Sequence, residues 1–280
     1  MGKIKIKYRP FSFCPFKVSR SANIASEWKH ITPSHFTLIA ELIVKGTIAN
    51  PTHALAKIFN VPEEIINSLH PFHQYTIMEQ IGKPLQGEPD PRNYLPTLQL
   101  KTKTKIQILT GPSDRLSNLT FGEFIYADSY FMAYGISADQ DFFEKHMAVL
   151  FRPSTIKSQL QTNELQPPSI NRIPFNPDQI EENTKIINQL PPETKIAWQY
   201  NYILLRQHLE SRYEFVFPKV EEELEKTTTT ETTAIYQQWM TVYDHFVGDD
   251  IIHSEDYFNK NLHEFLRFLN NKIRESYKKT

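Results

Sequence analysis

LTFGEFIYADSYFMAYGISADQDFFEKHMAVLFRP, from Leu119 to Pro153, is the stretch on which the fold turns. Two apolar stripes run through it. Phe121, Phe124, Ile125, Tyr130 and Phe131 recur at helical spacing, and Phe142, Phe143, Met147, Val149, Leu150 and Phe151 do so again. Thr120 with Glu123, and Ser137 with Gln140, each fit the capping box, in which two side chains satisfy the free amides that open a helix. Pro153 has no amide hydrogen and disfavours a helical residue before it, so the second helix is expected to stop near Arg152. Both helices need a surface on which to bury their stripes, and neither carries catalytic machinery.

Outward from this pair, the chain reads as mainly α with a small β component (α+β): helical subdomains around a short β-hairpin, preceded by an N-terminal strand or arm. Ile4, Ile6 and Tyr8 alternate with Lys3, Lys5, Lys7 and Arg9, the period of a strand with one wet face. Phe11 and Phe13 follow between Pro10 and Pro15, so this piece is expected as an edge strand or extended arm. Thr32 and Pro33 open a helix carrying Phe36, Ile39, Ala40, Ile43 and Val44. Three short helices are expected at 53–60, 62–69 and 71–82, punctuated by Pro51, Pro62 and Pro71. Each is too short to stand alone, so they must pack together.

Two short strands at 94–100 and 105–109 flank the polar KTKTK, and the central helices come next. Residues 154–177, with four prolines, read as a linker. Helices at 176–189, 191–212, 234–247 and 262–277 close the chain, and the acidic, threonine-rich 221–233 reads as a mobile loop. The expected division is therefore an arm at 1–20, an α+β domain at 21–153, a linker at 154–177 and a helical domain at 178–280.

Composition excludes several functions. The formal net charge is −1, which disfavours nucleic acid as a partner of the chain as a whole. Eight glycines against nineteen prolines disfavour phosphate-cradling loops, and neither GxxxxGK[ST] nor GxGxxG occurs. Cys14 is the single cysteine, so there is no intrachain disulfide or cysteine zinc finger. His70 and His73, or Asp249, Asp250 and His253, are too few and too scattered for the convergent ligands zinc requires. HEFLRF at His263 is not the HExxH signature, and no GxSxG elbow is present. No apolar run approaches the roughly 20 residues of a membrane span, and the first residues lack the apolar segment of a secretory signal. The expectation is a soluble protein with no catalytic residues, cofactor, metal or membrane contact. The row Lys3–Lys5–Lys7–Arg9 could meet phosphate, but a charged edge that discourages unwanted strand pairing explains it as well.

The order of segments resembles a group of proteins encoded in the tail and virion-assembly regions of tailed bacteriophages and prophages. The resemblance rests on HALAKIFNVPEEIINSLHPFHQYTIMEQI (53–81), LTFGEFIYADSYF (119–131), FFEKHMAVLFRP (142–153) and the ending WMTVYDHFVGDDIIHSEDYFNKNLHEFLRFLNNKIRES (239–276). It attaches to Thr120, Phe121, Gly122, Glu123 and Phe124 in one helix, and to Leu150, Phe151, Arg152 and Pro153 in the other. It implies a non-enzymatic tail assembly chaperone working in the bacterial cytoplasm, whose partners are other phage tail or virion proteins. The alternatives are a structural adaptor kept in the neck, tail or baseplate of the virion, and a phage protein that handles nucleic acid. Partner contacts are expected from the arm (Ile4, Ile6, Tyr8, Phe11 and Phe13) and from the helical pair (Phe121, Phe124, Phe151 and Arg152). Self-association is compatible with the same surfaces.

Overall fold

Prolines and polar caps set where the helices of the first unit begin. The computed structural model describes residues 2–8, 18–25, 27–44, 50–101, 106–156, 170–217, 232–248 and 253–278. These divide into two units, Met1–Tyr94 with Pro191–Leu204, and Leu95–Leu190 with Leu205–Thr280. Both are mainly helical with a small antiparallel sheet. The boundaries differ from those expected at 20, 153 and 177, because two chain segments return to complete each unit.

In the first unit, β1 (Gly2–Tyr8) pairs antiparallel with β2 (Val18–Ile24), so the expected arm is one strand of an intrachain ribbon. Four helices follow: α1 (Pro33–Val44), α2 (Pro51–Phe59), α3 (Glu63–Asn67) and α4 (Pro71–Gly82). Asn50 opens α2 by accepting the His53 amide at 3.3 Å. His70 opens α4 by accepting the Phe72 amide on Nδ1 at 3.2 Å, which gives that imidazole a capping role. Ile6 and Ala22 of the ribbon are buried with Leu55, Ala56, Phe59 and Ile66. Phe36 stacks on Tyr94 with centroids 4.3 Å apart, and Asn201 holds the Tyr94 amide at 2.8 Å.

In the second unit, β3 (Thr97–Lys101), β4 (Ile106–Thr110), β5 (Arg152–Ile156) and β6 (Ile170–Arg172) form one antiparallel sheet in that order. The span expected as a linker thus contributes strand at both ends, while 157–169 lies outside the described residues. Only Leu109↔Pro153 and Thr110↔Arg152 join β4 to β5, in keeping with a proline that cannot donate to the ladder.

The sequence's central pair is present as α5 (Phe121–Ser137) and α6 (Gln140–Leu150). The Thr120–Glu123 capping box is complete in both directions. Ser137 and Gln140 do not form the second one. Ser137 is the last residue of α5, Ala138 turns the chain at φ 54°, and Asp139 caps α6 by accepting the Asp141 amide at 3.0 Å. A short aspartate reaches the next amides from that position, whereas Ser137 still donates to the Ala133 carbonyl.

Four more helices belong wholly to this unit, α7 (Ile180–Ile187), α9 (Thr232–Val247), α10 (Ser254–Phe258) and α11 (Leu262–Tyr277), while α8 (Pro192–Arg212) contributes residues to both units. The loop expected at 221–233 falls almost wholly outside the described residues, although Thr232 already belongs to α9. Helix α10 is absent from the sequence reading because five residues carry no periodicity.

The starts of α5 and α11 are stitched together. Phe121 donates its amide to the Lys260 carbonyl at 2.8 Å, and Leu262 donates to the Leu119 carbonyl at 2.9 Å. Phe121 then stacks on Phe265 with centroids 3.7 Å apart. Phe121, Phe124, Phe143 and Phe151 are all fully buried, each contributing roughly 1.5–3 kcal/mol by leaving water.

Gly122 lets α10 approach α5, since a Cβ there would lie 2.4 Å from the Phe258 ring. In an open helix Gly→Ala would stabilise by about 1 kcal/mol. Here overpacking reverses the sign, and Gly122→Ala should destabilise by about 1–3 kcal/mol. Urea unfolding measures this, and the Gly122→Ala/Phe258→Ala pair should fall short of the sum of the two single costs.

Candidate functional site

Glu123 gathers charge from three segments of the second unit. Its carboxylate accepts the Thr120 amide at 2.9 Å, closing the capping box. The same group pairs with Arg152, the first residue of β5, and with Arg172, the last of β6, whose Nη2 lies 3.1 Å from both oxygens. All three side chains are below 8 % exposed, so the partners are held out of water together. The spare guanidinium donors go to helix α6. Arg152 donates to the Val149 carbonyl at 3.2 Å and Arg172 to the Leu150 carbonyl at 3.0 Å. Cations are favoured at a helix C-terminus, where carbonyls lack intrahelical partners. Arg152 Nε finds no acceptor, but the Phe175 ring lies 5.5 Å from the guanidinium carbon.

The cluster holds two guanidinium groups against one carboxylate. Burial pushes Arg172 down to about 10, with Glu123 opposing that shift and the Arg152 charge adding to it. Arg172 therefore stays charged at neutral pH.

A second buried carboxylate, Asp128, lies further along α5. Arg206 Nε donates to it at 2.8 Å and Trp239 Nε1 at 3.0 Å, fixing α8 and α9 against α5 within this unit. Arg206 also pairs with Glu210 one turn away. His146 of α6 is fully buried and donates from Nδ1 to the Ala127 carbonyl at 2.8 Å. Burial lowers its pKa to about 4, so it is neutral in the folded protein at pH 7. His263 donates from Nε2 to the Arg115 carbonyl at 2.8 Å and so accepts the Tyr213 hydroxyl on Nδ1 at 2.8 Å. Burial also lowers its pKa, and the charges of Arg212, Arg267 and Arg115 push the same way.

These groups point at one another and at backbone carbonyls. Their geometry suits holding strands and helices together. Among the described residues, no three His, Cys, Asp or Glu side chains converge as metal ligands, and no helix is long and apolar enough to cross a membrane.

The residues expected to contact partners are placed differently. Phe121, Phe124, Phe151 and Arg152 are buried in the second unit, and Ile6 is buried in the first. Each is held by its own chain, so a partner could reach it only by opening the fold. Arg152 is paired with Glu123 of the same chain. Ile4 and Tyr8 are half-buried against the core of the first unit. Phe11 and Phe13 lie outside the described residues.

Large apolar side chains are exposed on several elements, Ile106, Phe268 and Tyr277 among them, and α4 carries two. Phe72 is 66 % exposed and Tyr75 68 % exposed. Tyr75 lines a depression of about 350 Å³ with Pro51, Pro71, Gln74 and Met78. A second depression of about 390 Å³ is bordered by Trp28 and by Lys29, Lys83, Glu88 and Asp90, whose charges are of mixed sign.

Sequence reasoning missed Asp128, Arg172, Arg206, Phe72 and Tyr75. An acid inside the apolar stripe of α5 was a readable signal for Asp128. Phe72 and Tyr75 sit at a spacing that equally describes a buried face, so periodicity gave no warning of their exposure.

No protein-family model, curated protein or solved structure matches the chain.

The charge count of the cluster orders two substitutions. Glu123→Gln strands two buried cations and should cost about 3–5 kcal/mol. Arg172→Met leaves a one-to-one pair and should cost less than about half as much, as read from urea midpoints at constant m-value. A separate expectation concerns acid. Below about pH 6.5 the unfolded chain protonates His146, while the folded chain does so only near pH 4. Stability should therefore fall between those limits by about 3 kcal/mol from this residue. His146→Gln should remove that part of the pH slope in chemical denaturation.

Proposed function

We propose that this protein is a non-enzymatic assembly factor of a tailed phage or prophage, which binds tail or virion proteins while particles are built. The observation that carries the reading is the pair Phe72 and Tyr75 on α4. Two large aromatic rings one helical turn apart stand in solvent beside an apolar depression formed by Pro51, Pro71 and Met78. Aromatic side chains seated in a dry pocket supply most of the energy of many protein interfaces. Ile77, Met78 and Ile81 of α4 are half-buried against the core of the first unit, while Phe72 and Tyr75 of the same helix are left exposed. The occupant is an apolar segment of a partner tail or virion protein that fills the depression lined by Tyr75.

The resemblance of the 53–81, 119–153 and 239–276 segments to phage assembly proteins supplies the class of partner. Supporting it, Glu123, Asp128 and His146 of the second unit are engaged in internal bonds that hold the fold. A leading arm free to extend is not required by this reading. Ile6 is part of the core of its unit, so deleting residues 1–16 would damage that core along with any contact surface.

Phe72→Ser/Tyr75→Ser is the informative variant, because both side chains are mostly exposed. In pull-downs with tail tube and tape-measure proteins of the parent phage, the wild-type chain should give a defined complex. The double variant should weaken it at least tenfold, with an unchanged thermal midpoint. Mass spectrometry of purified particles then separates the two roles: stoichiometric copies mean a retained adaptor, and absence means a chaperone. No association with any virion protein would overturn the reading.

A further inference from the structure

The net charge of −1 averages two units of opposite sign. The first carries twelve Lys and Arg against eight Asp and Glu, and the second nineteen against twenty-four. Within the first unit, the imbalance lies at the start of the chain. Lys3, Lys5, Lys7, Arg9, Lys17 and Arg20 precede the first acidic residue, Glu27.

The ribbon register sorts the described part of this charge. Lys3, Lys5 and Lys7 lie opposite Asn23, Ser21 and Ser19, while Ile4, Ile6 and Tyr8 lie opposite Ala22, Arg20 and Val18. Opposed residues share a face of an antiparallel pair. The second set is anchored, with Ile6 and Ala22 buried against α2 and α3 residues. Lys5, Lys7, Ser19 and Ser21 are exposed on the other face, whereas Arg20, opposite Ile6, belongs to the anchored face. Lys5, Lys7 and Arg20 make no ion pair with any described residue. A charged edge that only blocks strand pairing would not need hydroxyl donors facing the lysines or a buried anchor behind them.

We infer that this ribbon is a docking surface for the phosphate backbone of duplex DNA. Lysines two apart on a strand are about 6.8 Å from one another and stand on the same side, so they can meet successive phosphates. Serine hydroxyls opposite them are further phosphate donors. A two-stranded ribbon is also narrow enough to enter the major groove. The rigid anchor means that little ordering cost opposes binding. An acidic protein segment would satisfy the same cations but would not use the alignment of like charges along one strand. This inference stands apart from the α4 surface, which lies on other residues.

Fluorescence anisotropy of a random 30-base-pair duplex with the full chain tests it. At 50 mM salt the expected dissociation constant is about 10–100 μM, with log K falling against log salt at a slope of about −2 for two cations. Lys5→Glu/Lys7→Glu should weaken binding at least tenfold and flatten the slope, while far-UV circular dichroism and the melting midpoint stay at wild-type values. Should that variant fail to fold, Lys5→Gln/Lys7→Gln carries the same expectation. No binding at 50 mM salt, or binding indifferent to the substitutions, overturns the inference. Equal binding of polyglutamate to the same residues also overturns it, in favour of an acidic protein partner. The Phe72→Ser/Tyr75→Ser variant should bind the duplex as the wild type does.

Discussion

The Glu123 carboxylate is the interaction on which the second unit depends. It caps the first turn of α5, binds the opening residue of β5 and binds the closing residue of β6. Removing three charges from water is unfavourable unless each is paired and further hydrogen-bonded. Arg152 and Arg172 meet that condition by donating to Val149 and Leu150, the last carbonyls of α6. One carboxylate thus fixes where α5 starts, where α6 stops and how β5 and β6 attach. An alternative register of β5 or β6 would leave a guanidinium buried without its anion. The cluster penalises wrong arrangements more than it stabilises the right one.

Around this charge the packing is aromatic. Phe121 and Phe124 turn from α5 onto Trp239 and Phe265, and Asp128 receives the indole proton of the same Trp239. The polar and apolar faces of α5 are therefore both covered, which is why its stripe is unavailable to another protein. Contrast α4, a helix of twelve residues with no buried member. Its neighbours cover only one side, and Phe72 and Tyr75 are left in water. Phe121, Phe124 and Phe151, expected at a partner interface, are core, while Phe72 and Tyr75 are exposed.

The same inversion applies to charge. A chain-wide value of −1 hides a basic first unit and an acidic second one, and electrostatic attraction acts at the local surface rather than on the sum. The pairing of β1 with β2 converts alternating lysines into one cationic face, and the burial of Ile6 holds that face outward.

By itself the sequence determined the local beginnings and ends of structure. Thr120 with Glu123, Pro33 and Pro71 mark helix starts through hydrogen bonds and steric limits that span at most four residues, and the structure has each of those helices where the signals put it. The mainly helical class followed from the same short-range rules. Only the tertiary structure decided that Glu123 meets arginines 29 and 49 positions away. It alone also decided that 152–156 and 170–172 are strands of one sheet, and that the domain division interleaves distant segments. Those outcomes come from burying apolar surface and matching buried charges among residues far apart in the chain. Periodicity tells that a face must be covered, but the identity of what covers it is fixed only when the whole chain has found its packing.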